Sequence, residues 1–300
     1  MRIATIDMFQ QGTASILNQQ TLLSQTQQQL ATGQQLLSPS DNPAAAAQVQ
    51  SLDVSISQTN QYQTNADAAT ASLNVENSAL TSVVNGLQSA RDLAVQGLNG
   101  TQSAQARQGI ATQVQQILDQ VVSVANTQDV NGKYIFAGYS SGSAPVSATG
   151  TTYTYTGDSG QRLAQIGPSR QVAVGDSGSA VFMNVPASGG GKQSVFKTLS
   201  DLIAGLQANN PSQSSLTNLD NALNNVLTVQ TEIGSRLNAI SDQKNLNTNF
   251  LTQVTTNRSQ LADVNVAQAS IQLNQQLLAL QAAQQSFAKI QGLSLFNYLR

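Results

Sequence analysis

Apolar positions recur at sevens at both ends of the chain. Val264 to Ala288 is a 25-residue stretch without Asp, Glu, Lys or Arg, in which Val266, Leu273, Leu280 and Phe287 fall seven apart. Ala262, Ala269, Ala283 and Ile290 take the companion positions. This spacing keeps one stripe of a helix facing a partner helix. A second stripe, Val264, Ile271 and Leu278, falls on another face and predicts contact with more than one neighbour. Met8 to Ser40 repeats the pattern over 33 uncharged residues, with Phe9, Ile16, Leu23, Leu30 and Leu37 seven apart. Two neutral heptad helices at opposite ends predict an antiparallel coiled-coil pair that brings the termini together.

The first helix is predicted to break at Ser38-Pro39-Ser40-Asp41-Asn42-Pro43. The prolines cannot donate a helical hydrogen bond and push the preceding residues out of the helical region. Asp41 or Asn42 can cap the next helix, with Pro43 in its first turn. Ala44 to Asn99 is then predicted to be one long helix and Ser103 to Asn126 another, its apolar residues spaced for a bundle seam. Between Gly138 and Lys192 the texture changes, and this stretch holds 11 of the 21 Gly. Thr151–Thr156, Gln161–Ile166, Gln171–Val174 and Ala180–Met183 are predicted strands of a small all-β insert. Helices resume at Val195 and again over Leu216–Val254, the latter expected to run on into the terminal stretch.

The predicted fold is mainly α: an elongated antiparallel helical hairpin or bundle, with paired N- and C-terminal coiled-coil helices and a β insert at the tip. Three domains are expected: 1–42 with 255–300 as terminal assembly domain, 43–138 with 193–254 as helical bundle, and 139–192 as β-rich outer domain.

Composition narrows the function. Charged residues are 9% of the chain, the net charge is −2, and Glu occurs only at Glu76 and Glu232. A nucleic-acid binder needs a Lys/Arg face, so none is expected as a partner. The amide-rich terminal stretch is too polar to be a membrane span. With no Cys and no His, thiolate chemistry, the usual neutral-pH base and most zinc sites are absent. Gly157-Asp158-Ser159-Gly160 and Gly175-Asp176-Ser177-Gly178 spell a protease-like loop, but no base exists to activate either Ser. They are predicted to be turns. No catalytic residue, cofactor site or metal site is expected. The first residues lack the unbroken apolar core of a cleavable signal peptide, so the chain is expected to be cytosolic or exported by another route.

Several motifs carry a resemblance. Leu30-Ala31-Thr32-Gly33, Ser38 to Ala46 and Ala90-Arg91-Asp92-Leu93-Ala94-Val95-Gln96 are similar to the N-terminal signature of the bacterial flagellin family. Asn131 to Gly138, Ile233 to Asn238, Leu280 to Phe287 and Leu293 to Leu299 resemble the family's hook-associated, hook–filament junction branch. The likeness spans roughly residues 1–140 and 193–300 and fits the insert loosely.

The resemblance implies a mechanical adapter without catalytic activity, exported unfolded through the flagellar type III apparatus. It implies a closed ring of about eleven subunits, seated between the first hook-associated protein and the flagellin filament, with a cytosolic export chaperone beforehand. Its place is extracellular, at the hook–filament junction. The assembly face is expected at Phe9, Ile16, Leu23, Leu30, Leu37, Val266, Leu273, Leu280 and Phe287. The family-like motif adds Arg91, Leu93 and Gln96. A flagellin filament subunit and a secreted coiled-coil effector or adhesin are the alternatives. The terminal helices, residues 1–40 and 260–300, are expected to order on assembly.

Overall fold

The computed structural model describes residues 2–296, with side chains over 6–289. The side chain of Ile290 and the closing Leu293–Leu299 motif therefore lie outside the described side chains. Six α-helices dominate: α1 Arg2–Thr32, α2 Pro43–Leu98, α3 Ala104–Ala125, α4 Val195–Gln207, α5 Gln213–Ala262 and α6 Val266–Phe296. Six short strands lie between α3 and α4. The chain is mainly helical with a small β insert, as its patterning predicts. It divides into two compact units, Met1–Gln58 with Asn249–Arg300, and Thr59–Thr248. The division falls inside α2 and α5.

In the terminal unit α1 and α6 pack antiparallel. Phe9 meets Phe287 with ring centroids 4.9 Å apart, and Gln19 Nε2 donates to the carbonyl of Gln276 at 3.3 Å. Gly12 makes room for that ring, since a Cβ there would lie 2.9 Å from Phe287 Cδ2.

The two helices that adjoin this pair begin and end differently from the sequence expectation. α1 stops at Thr32, because Gly33 turns left-handed with φ +72°. Leu37 is therefore not on the first helix, and its heptad spacing is coincidental with respect to α1. Residues beyond Gly33 instead pair with the end of α5. Gln35 N–H donates to Ala262 O at 2.7 Å and Val264 N–H to Gly33 O at 2.9 Å. Helix α5 correspondingly does not run on. It ends at Ala262, and Asn265 starts α6 by accepting the Gln268 N–H at 3.2 Å. Asn42, rather than Asp41, caps α2 by accepting the Ala45 N–H at 3.1 Å. Asp41 Oδ2 instead accepts from Leu37 N–H and Ser38 N–H at 3.2 and 2.9 Å.

In the bundle unit, 59–248, α2 and α5 run antiparallel, laced by polar pairs along their length. Lys244 bonds Asp67, Gln63 Nε2 donates to Thr248 Oγ1 at 3.1 Å, and Gln230 Nε2 to Thr81 Oγ1 at 3.0 Å. Beneath the pairs lies a continuous core from α2 (Leu73, Leu80, Leu87), α3 (Val114, Leu118), α4 (Leu199, Leu206) and α5 (Val226, Ile233). Each such side chain contributes roughly 1.5–3 kcal/mol on full burial. Ser103 and Ser194 cap α3 and α4 by accepting the N–H of Ala106 and Lys197. Arg107, nearly buried, donates Nε and Nη2 to the carbonyls of Gly97 and Asn99, satisfying the end of α2.

The insert consists of three antiparallel ribbons: β1 Val146–Thr149 with β2 Thr152–Tyr155, β3 Leu163–Gln165 with β4 Gln171–Ala173, and β5 Val185–Pro186 with β6 Lys192–Gln193. Ala180 to Met183 is not a strand. It belongs to a five-residue π-helical turn, Ser179–Met183, that aims Phe182 at the core. There Phe182 meets Phe136 edge-on at 5.1 Å and Phe196 of α4 at 5.7 Å, while Tyr153 stacks on Phe196 at 5.5 Å.

Candidate assembly interface

The α1–α6 pair is distinguished by what it leaves uncovered. Among the described residues, Thr26 is the one buried residue of α1 and Ala269 the one of α6. Of the predicted heptad residues, Ile16, Leu23, Leu30, Leu273, Leu280 and Phe287 are half-buried along the seam, whereas Phe9 and Val266 are exposed. Leu37 is half-buried in the segment between α1 and α2. Around the seam Ile6, Met8, Leu17, Leu22, Ile271 and Leu278 stand in the open, Leu278 at 67% exposure. No described ion pair involves either helix, and over residues 8–32 of α1 and 266–288 of α6 no charged side chain stands among these apolar ones. Ile271 and Leu278 belong to the second stripe, which the α1 partner leaves uncovered.

Arg91, Leu93 and Gln96 lie in the other unit. Arg91 Nε donates to Asp220 Oδ1 of α5 at 2.6 Å. Leu93 packs against the core and Gln96 is exposed.

One polar cluster has no counterpart in the sequence expectations. Both glutamates of the chain converge on it. Glu76 of α2 is 1% exposed, and its Oε1 accepts the Asp176 N–H at 2.9 Å. Asp176 in turn holds Arg236 of α5 in a two-pronged pair at 2.8 and 2.9 Å, and Arg236 also reaches Glu232 at 3.3 Å. The sequence signal was present: Glu76 falls three residues after Leu73 and four before Leu80, on the buried stripe of α2. Of the two Gly-Asp-Ser-Gly loops, 175–178 thus anchors an arginine. In 157–160, Asp158 accepts the N–H groups of Tyr139, Ser140 and Gly160.

Among the described residues no group of three acidic, His or Cys side chains could hold a metal ion. No described helix is long and apolar enough to cross a membrane.

A long N-terminal helix paired with a C-terminal one, together with a separate helical bundle carrying a β insert, defines a class. Residues 3–141 match the bacterial flagellin N-terminal helical region. The chain is 33% identical to flagellar hook-associated protein 3 of Escherichia coli K12, covering 99% of each. It is also 33% identical to flagellar hook-associated protein 3 of Salmonella typhimurium LT2, covering 100% of each. A putative flagellar hook-associated protein from Vibrio parahaemolyticus superposes with a TM-score of 0.67 at 26% identity, over 74% of this chain and 100% of that one. The chain belongs to the flagellar hook-associated protein 3 family.

Proposed function

We propose that this protein is a structural adapter of the bacterial flagellum that joins the hook to the filament. It does so as a closed ring of about eleven copies, the geometry that repeated head-to-tail contacts produce when the rotation closes. In this reading it meets the first hook-associated protein on one side and flagellin on the other, outside the cell. Before that it passes the flagellar export route from the cytoplasm, its α6 stripe held by an export chaperone. Its role is mechanical and not catalytic. The observation that carries the reading is the α1–α6 pair, uncharged over 8–32 and 266–288, with Leu17, Leu22, Ile271 and Leu278 uncovered. Single exposed apolar residues are ordinary, but many of them recurring along two paired helices mark interaction surfaces.

The absence of charge suits a wall of identical subunits. Like charges repeated at close quarters are costly, whereas amides hydrogen-bond across the contact without that repulsion. A filament subunit is the second reading, favoured by the flagellin match over 3–141. Copy number separates the two, one ring against a whole filament.

The test is the double variant Leu17→Gln with Leu278→Gln. The secreted monomer should keep its circular dichroism, and both incorporation at the junction and swimming should be lost. Normal swimming by cells carrying only this variant overturns the assignment of that face. For the chaperone, deleting Val264 to Arg300 should abolish capture; unchanged affinity removes the α6 stripe from that role.

A further inference from the structure

The Glu76 cluster does something that assembly does not require. We propose that Glu76, Asp176, Arg236 and Glu232 form a proton-dependent clasp fastening the 174–178 loop of the β insert to α2 and α5, tight while Glu76 holds a proton.

The geometry leaves Glu76 as the odd carboxyl. Arg236 spends both prongs on Asp176, at 2.8 and 2.9 Å, and a further contact on Glu232 at 3.3 Å. Gln161 Nε2 adds a bond to Asp176 Oδ1 at 2.7 Å. Glu76 receives one backbone N–H, from Asp176, and its buried Oε2 has no hydrogen-bond partner among the described residues. An ionised carboxylate so placed has lost its water without gaining a cation of its own. Gly175 runs close by: a Cβ there would come within 3.9 Å of Glu76 Oε2. A cavity of about 260 Å³ borders Glu76, with Asp129 and Arg162 as the other charged groups on its walls. The charged groups facing Glu76 are therefore Asp176 from the insert loop, Arg236 and Glu232 from α5, and Asp129 and Arg162 across the cavity.

Burial, and after it the neighbouring Asp176 charge, pushes the Glu76 carboxyl up from 4.5 to about 8. When the clasp opens and Glu76 meets water, its affinity for the proton falls back toward the ordinary value. The open form then binds fewer protons than the closed one between those two pH values. Opening is therefore favoured about tenfold more for each pH unit gained inside that window, and is constant outside it. The insert should be held most firmly in acid and loosen toward mildly alkaline pH. The response is expected first at the insert's attachment, where the Asp176 N–H meets Glu76.

The chain's two glutamates make the test direct. Full-length protein labelled with ¹³C at the glutamate carboxyls should give two signals, assigned by their loss in Glu76→Gln and Glu232→Gln. The Glu76 signal should titrate well above the ordinary carboxylate range. Amide exchange of the Asp176 N–H and of β4, corrected for intrinsic rates, should lose protection about tenfold per pH unit from pH 5.5 to 7.5. In Glu76→Gln that slope should vanish, with protection retained at high pH. A Glu76 signal titrating at an ordinary carboxylate value overturns the clasp. So does wild-type protection that stays flat across the window. Both readouts stand on the native protein should the variant fail to fold.

Discussion

The two units of this protein solve the same problem, keeping long helices together, by opposite means. In 59–248, α2 buries Leu73, Leu80, Val83, Leu87, Ala90 and Ala94, and α3, α4 and α5 close over them. In the terminal unit, two helices of 31 residues each share a seam in which Ile16, Leu23, Leu30, Leu273, Leu280 and Phe287 are only half-buried and, of the predicted heptad positions on them, only the small Ala269 is buried. The bundle unit buries its heptad residues within its own chain. In the terminal unit, α1 and α6 have the pattern of bundle helices and cover only one stripe of each other. Heptad spacing thus specifies which residues seek a neighbour; it does not say whether the neighbour is in the same molecule. Position in the chain, and the absence of charge over 8–32 and 266–288, separate the two cases here.

Substitutions can break or sharpen that contrast. The largest loss should come from Arg236→Ala, which leaves Asp176, 5% exposed, as a buried carboxylate without a counter-charge. A cost of about 3–5 kcal/mol is expected, read from the denaturant midpoint of the monomer. Leu80→Ala, at a fully buried position, should cost about 2–5 kcal/mol by the same measure. Leu17→Ala, at 57% exposure, should change monomer stability by less than about 0.5 kcal/mol and still impair assembly. Equal losses at Leu80 and Leu17 would remove the distinction between the units. The smallest effect is expected at Gly12. Gly→Ala inside a helix normally gains about 0.5–1 kcal/mol. The new Cβ would press on Phe287 at 2.9 Å, so Gly12→Ala should yield no gain. A gain of the full amount in assembled rings would mean that the Phe9–Phe287 contact does not form there.

Most of the helical fold was legible in the sequence, because its heptads are long and its caps ordinary. Ser103 and Asn42 announce their helices by type and position. The misses share a cause. Gly33 lies within a repeat that continues to Leu37 without interruption, and no local breaker follows Val254 in α5. Both helices end where Gln35, Ala262 and Val264 exchange backbone bonds, a pairing between segments more than two hundred residues apart. Ala180 to Met183 has the β-branched and aromatic content of a strand, yet tertiary packing of Phe182 against Phe136 and Phe196 winds it into a turn. For the candidate face, the residue identities were readable and their exposure was not. Glu76 was visible only as an acid on an apolar stripe, and its meaning depended on Asp176 arriving from a loop one hundred residues away.

The central claim is that α1 and α6 form an unfinished surface which other subunits complete. Amide hydrogen exchange on the isolated full-length monomer tests it most directly. Exchange across residues 7–32 and 266–289 should be far faster than across 73–94 and 219–240, with protection of the terminal segments appearing only in assembled rings. Terminal helices protected in the monomer as strongly as α2 would contradict it.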